Sequence, residues 1–384
     1  MAPRFRLEPH PRVVDASLLT AVVVLLATGV VSLVSGRPTG AWVFDVHVVA
    51  GLSTVVLLFW KLRRVRHRVT PDRLDATRGL SVLLAVVATA ALATGIWWVF
   101  GGSLDLGPWG LLNLHIGLGL LVPLLLVLHL RKRFGLPQRE AVADRRNALR
   151  YAAVLGAGAL AWRAQETTNT VLDTAGARRR FTGSRETGSD DGNAFPVTSW
   201  VADDPDPVDT ASWTLTVSGR VSTPLELAHD EVTPGDGDDA ESADGNAGDG
   251  GSSEGNPGHS PVDPTGEKRA LLDCTSGWYS EHDWQGVRVG ELLDAADSDD
   301  GAAWVQFRSV TGYRWSLPVE EAREALLATR VDGQALSHGH GAPMRLVAPG
   351  RRGFQWVKWV EEVRVTRRRE LGEWVAIFVS GLDD

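Results

Sequence analysis

The sequence predicts two structural classes in one chain: an N-terminal all-α bundle of four transmembrane helices, followed by an α+β domain dominated by mixed sheet. Three observations predict this. The first third holds four long apolar runs, the second half alternates short β-rich runs with turns, and the charge is segregated within a net of −8 over 384 residues.

The apolar runs are Ser17 to Ser35, Ala41 to Trp60, Gly79 to Phe100 and Leu106 to Leu130. At 1.5 Å rise per residue each is about long enough to cross a ~30 Å hydrocarbon layer. Lys61, Arg63, Arg64, Arg66, Arg68, Arg73 and Arg78 separate the second and third runs, and Arg131, Lys132, Arg133, Arg139, Arg145, Arg146 and Arg150 follow the fourth. The opposite loops offer Arg37 against Asp45 and Asp105. Basic residues stay on the cytoplasmic side, so both ends of the bundle, residues 1–135, are expected there. The halves of the bundle are similar: "LLATGVVSLVSG" matches "ALATGIWWVFGG", and "DVHVVAGLSTVVLLFWKLRR" matches "NLHIGLGLLVPLLLVLHLRKR". The bundle reads as a duplicated helical hairpin.

Residues 136–180 form a basic segment, a short apolar run and a linker. In "RRNALRYAAVLGAGALAW" the paired Arg145–Arg146 and Arg150 precede twelve weakly apolar residues, Tyr151 to Trp162. That run is too short for a clear span. It resembles an internal twin-arginine export signal; the other reading is a basic helix lying on the membrane. Export would place the remainder outside the cell membrane. Glu231 to Glu267 carries ten acidic residues, no Lys or Arg, and many Gly, Ser and Pro, which predicts a solvated, disordered insertion. This acidic exterior suits a halophilic, high-salt habitat and excludes nucleic acid as a partner.

Residues 181–384 supply the α+β domain. Strands are expected in "SWTLTVSGRV", "KRALLDC", "AWVQFRSV", "MRLVAPG" and "WVKWVEEVRVTRR", and helices in "VGELLDAA" and "VEEAREALLAT". The chain's one cysteine, Cys274, ends a strand and opens a Ser/Gly loop. By itself it is either a small buried hydrophobe or a soft metal ligand.

"LLDCTSGWYSEHDWQGVRVGELLD", "SVTGYRWSLPVEEA" and "SHGHGAPMRLVAPGRRGFQWVKWVEEVRV" resemble, in order and spacing, the molybdopterin-binding domain of the sulfite oxidase family and of the periplasmic protein-methionine-sulfoxide reductase catalytic subunit. The resemblance covers about Phe181 to Arg368. It implies a sulfite-oxidase-like fold and a molybdenum bound by one molybdopterin and one protein thiolate, with Cys274 at the ligand position. It also implies cofactor-binding roles for Asn193, His340, Arg345 and Lys358, and a place near the metal for Tyr313. The sequence departs from sulfite oxidases after the cysteine, where "CTSGW" brings Trp278 and Tyr279 instead of arginines that hold an anionic substrate. The reductase branch is the closer likeness. It implies oxygen-atom transfer on a small S- or N-oxide or an oxidised methionine, with electrons exchanged with the quinone pool or a small redox carrier. A dehydrogenase passing electrons outward and a non-catalytic electron-transfer or sensor subunit are the alternatives.

His47 and His115 occupy equivalent places in the two repeats, near the outer ends of their helices. A pair of neutral imidazoles on facing helices is a way to hold a b-type haem iron, which is the cofactor expected here. Interfacial side chains and a quinone site are the other readings. His129 falls fourteen residues after His115, on nearly the same face but roughly 21 Å deeper, and its repeat counterpart is Lys61.

Overall fold

The structure, a computed structural model, describes residues 11–68, 75–106, 109–131, 145–199, 203–234 and 260–381. Arg73, Lys132, Arg133, Arg139 and most of the acidic insertion (235–259) lie outside the described residues, as do the side chains of Arg68, Arg145 and Arg146. The chain divides into two compact units, Met1–Arg185 and Glu186–Asp384.

The first unit is helical. α1 (Pro11–Ser32), α2 (Ala41–Val65), α3 (Ala76–Val99) and α4 (Leu111–Leu130) are each long and apolar enough to cross a membrane. Asp75 caps α3, its carboxylate accepting from the Arg78 amide at 2.8 Å. Large apolar side chains point away from the bundle; Val86 and Leu120 are each 58% exposed, the pattern of helices solvated by hydrocarbon.

The weakly apolar run is a correction to the sequence reading. It lies within a 27-residue helix, α5 (Arg145–Val171), packed along α2. Val154 joins Val14 and Leu57 in one cluster. A Cβ on Gly158 would come within 2.8 Å of the Val49 carbonyl and closer still to Ser53, so glycine allows the two backbones to approach. Past the apolar run the helix continues through polar residues, where Gln165 and Asn169 donate to the Val99 carbonyl at the end of α3, at 3.4 and 2.9 Å. Hydropathy alone missed these turns because their stabilisation comes from side-chain bonds to a neighbouring helix.

The second unit has mixed sheet, as expected. Its strands include β1 (Thr214–Gly219), β2 (Leu225–Ala228), β3 (Gly266–Asp273), β4 (Trp278–Arg288), β5 (Trp304–Ser309), β6 (Arg314–Pro318), β7 (Leu326–Val331), β8 (Gln334–Ala335), β9 (Arg345–Val347) and β10 (Val360–Thr366). One sheet runs β2-β1-β10-β5-β6, with β1 and β10 parallel and the other neighbours antiparallel. In the other, β4 lies between β3 and β7, and β7 also pairs with β8 and β9. One hydrophobic core collects residues of both sheets, including Trp284, Phe307, Trp315 and Leu326, all fully buried.

The expected helix over "VEEAREALLAT" is half wrong. A short helix, Val319–Arg323, ends before β7, whose Leu326, Leu327 and Ala328 are fully buried between β4 and β9. A short apolar run reads alike as buried helix or buried strand, and ladder pairing overrides the helix propensity of Leu and Ala.

Candidate functional site

Cys274 sits at the turn of the β3–β4 hairpin. Its amide donates to the Trp278 carbonyl at 2.9 Å and its carbonyl accepts from the Gly277 amide at 3.1 Å. Gly277 has φ +98, so "CTSG" is a turn that closes on a left-handed residue, the position glycine fills without strain. The cysteine is buried and unpaired, and its Sγ lies 3.0 Å from Ser276 Oγ.

A second turn presses on the cysteine from behind. A Cβ on Gly353 would stand 3.1 Å from Cys274 Cα. Arg352 Nη2 donates to the Cys274 carbonyl at 3.2 Å, and the Tyr313 hydroxyl donates to the Phe354 carbonyl. Tyr313 thus acts on the turn behind Cys274. Burial, reinforced by Asp203 and Glu373, pushes its phenol well above the usual range, so it stays protonated.

Two cations complete the electrostatics. Arg345 is 2% exposed; its Nη1 donates to the His340 carbonyl at 3.0 Å, its guanidinium lies over Trp284 and Trp356, and its Nε has no hydrogen-bond partner among the described residues. Burial pulls it down to about 9, opposed by the nearby Cys274. Lys358 Nζ donates to Gly339 O at 2.7 Å and Ser199 Oγ at 3.1 Å. Burial and then Arg345 pull it down to about 8, again opposed by acidic neighbours including Cys274. Among the described residues neither cation has a carboxylate in ion-pair contact. A buried guanidinium with an orphan donor beside a lone thiol fits an anionic, sulfur-ligated group such as molybdopterin.

The other two expected cofactor residues are engaged within the chain. Asn193 Nδ2 donates to Ala335 O and its Oδ1 accepts from the Ser337 amide, both at 2.9 Å. His340 Nε2 donates to Phe195 O at 2.8 Å, which leaves Nδ1 to accept from Ser337 Oγ at 2.7 Å. Burial holds His340 at about 4, so it is neutral. These bonds fasten residues 192–199 across the late motif, helped by Trp278 Nε1 donating to Thr198 Oγ1 at 3.2 Å and by the Phe195 ring, tilted against the His340 ring with centroids 3.9 Å apart. Asn193 and His340 therefore shape the pocket through the backbone.

In the helical unit His47 and His115 face each other, ring centroids 6.2 Å apart. Thr28 Oγ1 donates to Val24 O at 2.7 Å, so toward His47 Nδ1, 2.8 Å away, it is the acceptor. His115 Nδ1 donates to Ala91 O at 2.9 Å, with Thr94 Oγ1 at 3.3 Å. Both rings thus carry the proton on Nδ1 and present the Nε2 lone pair. Two metal–nitrogen bonds of ~2 Å plus two half-rings span about 6 Å, so the spacing fits one iron between them. His129 makes its own contact, Nδ1 to Ser81 Oγ at 3.1 Å.

Sequence reasoning missed Ser276, Arg352, Thr28 and Thr94. The two threonines were legible as the "ATG" shared by the repeats; Ser276 and Arg352 had no signal of their own.

Residues 202–374 match the family model of the oxidoreductase molybdopterin binding domain. The uncharacterized oxidoreductase YuiH of Bacillus subtilis (strain 168) is 26% identical over 184 residues, 47% of this chain and 78% of that protein. The crystal structure of the sulfane dehydrogenase SoxCD from Paracoccus pantotrophus aligns at 21% identity with a TM-score of 0.33, over 42% of this chain and 40% of that one, too loosely to bear on fold or function. The second unit is a molybdopterin-binding oxidoreductase domain, and the chain is an oxidoreductase.

Proposed function

We propose that the protein is a membrane-anchored molybdenum enzyme that moves an oxygen atom to or from a small S- or N-oxide or an oxidised methionine. The carrying observation is the chain's one cysteine, buried near Arg345 and Lys358, neither of which has a carboxylate in ion-pair contact among the described residues. Bound molybdenum supplies two-electron oxygen-atom transfer; the chain supplies the rest. Cys274 Sγ is the soft donor. Ser276 Oγ–H donates to the thiolate and fixes its direction. Arg345 and Lys358 hold anionic groups of the cofactor, while His340 stays neutral. Purified protein lacking both molybdenum and the fluorescence of released pterin would end this reading.

His47 and His115 would hold one haem b, which would supply single-electron transfer in exchange with the quinone pool or a small carrier. Thr28, Thr94 and Ala91 O fix the orientation of the two imidazoles that would bind it. The domain lies outside the cell membrane. The support is α5, which packs near its start on Val14 and Leu57 and near its end on the Val99 carbonyl, and so carries the chain from one end of the bundle to the other. Arg145→Lys with Arg146→Lys should strand the domain inside. Protease accessibility of the domain in intact cells, unchanged by that pair, would refute the export route.

A further inference from the structure

The molybdenum reading leaves one buried charge pair without a role. Arg352 is 4% exposed and Asp273, immediately before Cys274, is 2% exposed; Nη1 of the arginine lies 2.9 Å from Oδ1 of the aspartate, while Nη2 donates to the Cys274 carbonyl. The two residues also form an isolated parallel β-bridge. Arg352 is itself fixed, because its amide donates to Gln355 Oε1 at 3.0 Å and its carbonyl accepts from the Gln355 amide at 2.8 Å. Gly353 meanwhile lies close against the cysteine, where an added Cβ would meet the Cys274 Cα at 3.1 Å.

A buried ion pair seldom stabilises a fold more than apolar side chains of the same size would. Its place here does something apolar residues cannot: one guanidinium spans the residue before the cysteine and the carbonyl of the cysteine itself. Rotation about the Cys274 backbone would break one of these contacts. The direction of the Cα–Cβ bond is thereby set, and with it where Sγ can sit. Ser276 then selects the Sγ position from the other side.

We propose that the Arg352–Asp273 pair is a positioning clamp for the molybdenum ligand, with Arg352 holding the Cys274 backbone in the one orientation that delivers its thiolate to the metal. This rests on the molybdenum reading of Cys274. Arg345 and Lys358 hold the cofactor's anionic groups independently, so loss of the clamp should misplace the sulfur without emptying the site.

The test uses the full chain, with Arg352→Met, Arg352→Lys and the double variant Asp273→Leu with Arg352→Met, which removes both charges at once and guards against misfolding from a lone buried carboxylate. Molybdenum content and released pterin should stay near the unmutated level. The molybdenum-edge X-ray absorption spectrum should show the cysteine sulfur lost or spread in distance, and kcat should fall on the order of tenfold to a hundredfold with KM little changed. Arg352→Lys, which can keep the contact to Asp273 without also reaching the carbonyl, should fall between. Loaded, folded variants with an unchanged spectrum and unchanged kcat would overturn the clamp.

A second arm separates this failure from failure of the molybdenum reading. In cofactor-free protein, alkylation of Cys274 by a maleimide at one fixed pH should be at least several-fold faster in Arg352→Met and the double variant, because the sulfur is no longer held against Ser276. Equal rates would overturn the clamp even if the unmutated protein proved to contain no molybdenum.

Discussion

The cysteine pocket and the histidine pair solve one problem by different means. On the proposed reading each must hold a ligand atom still, and each places a hydroxyl beside it: Ser276 at Cys274, Thr28 and Thr94 at His47 and His115. The histidine site uses neutral contacts between adjacent helices and is written twice by the duplication. The cysteine site gathers residues 193–199, 274–276, 313 and 340–358, and it uses buried cations. A neutral ligand in an apolar bundle needs orientation only, whereas a thiolate and an anionic cofactor need charge as well.

The largest test of that contrast removes the charged ligand itself. Cys274→Ser should leave a folded protein whose turnover falls by ~100-fold or more, since even outer-shell changes cost 10–100-fold. A serine variant with normal turnover would make Cys274 structural. At the other site, His47→Ala and His115→Ala should each abolish the six-coordinate b-type spectrum and leave molybdenum content alone. His129→Ala, held by Ser81 at a deeper level, should leave the spectrum intact. Loss of the spectrum in the His129 variant instead would move the haem.

The difference also explains what the sequence could tell. Hydropathy and repetition exposed α1 to α4 and the histidine pair, because neighbouring helices make those contacts. The cysteine pocket was legible through the resemblance alone, since nothing in "PGRRGF" says that Arg352 reaches Cys274, seventy-eight residues earlier. β4 was overlooked for a related reason. Its inward positions include the polar Ser280 and His282, both fully buried, so its alternation does not look apolar. The helix expected over residues 319–329, of which only Val319–Arg323 forms, shows the limit of propensity where pairing across the sheet decides.

Removing one cation should have a smaller effect than removing the sulfur. Arg345→Met deletes a charge-assisted donor of roughly 1.5–3 kcal/mol, so cofactor retention should drop by about tenfold to a hundredfold. Lys358 sharpens this with pH. In the folded protein it titrates near 8, below its usual 10.5, because burial opposes its charge. Between those values the unfolded chain binds the extra proton, so stability of the cofactor-free protein should rise as pH climbs from about 8 toward 10.5. Over the same window retention of an anionic cofactor should fall. Melting temperature and pterin loss, measured together across that window, should therefore move in opposite senses; Lys358→Met should flatten both.

The smallest expected effect is at the neutral site. The Thr28 hydroxyl proton is committed to the Val24 carbonyl, so its oxygen accepts from His47 Nδ1 and would make the ring a stronger donor to the proposed iron. Thr28→Val removes that acceptor while keeping the shape. The oxidised haem should then be less stabilised and the midpoint potential should rise. One neutral hydrogen bond of about 0.5–1.5 kcal/mol corresponds to a shift on the order of 20–60 mV. Thr94→Val should shift it less, because Thr94 Oγ1 lies 3.3 Å from His115 Nδ1 whereas Thr28 Oγ1 lies 2.8 Å from His47 Nδ1. A spectroelectrochemical titration of the two variants decides the matter: equal shifts, or a larger one for Thr94→Val, would show that the threonines do not act through Nδ1, and the parallel with Ser276 would fail.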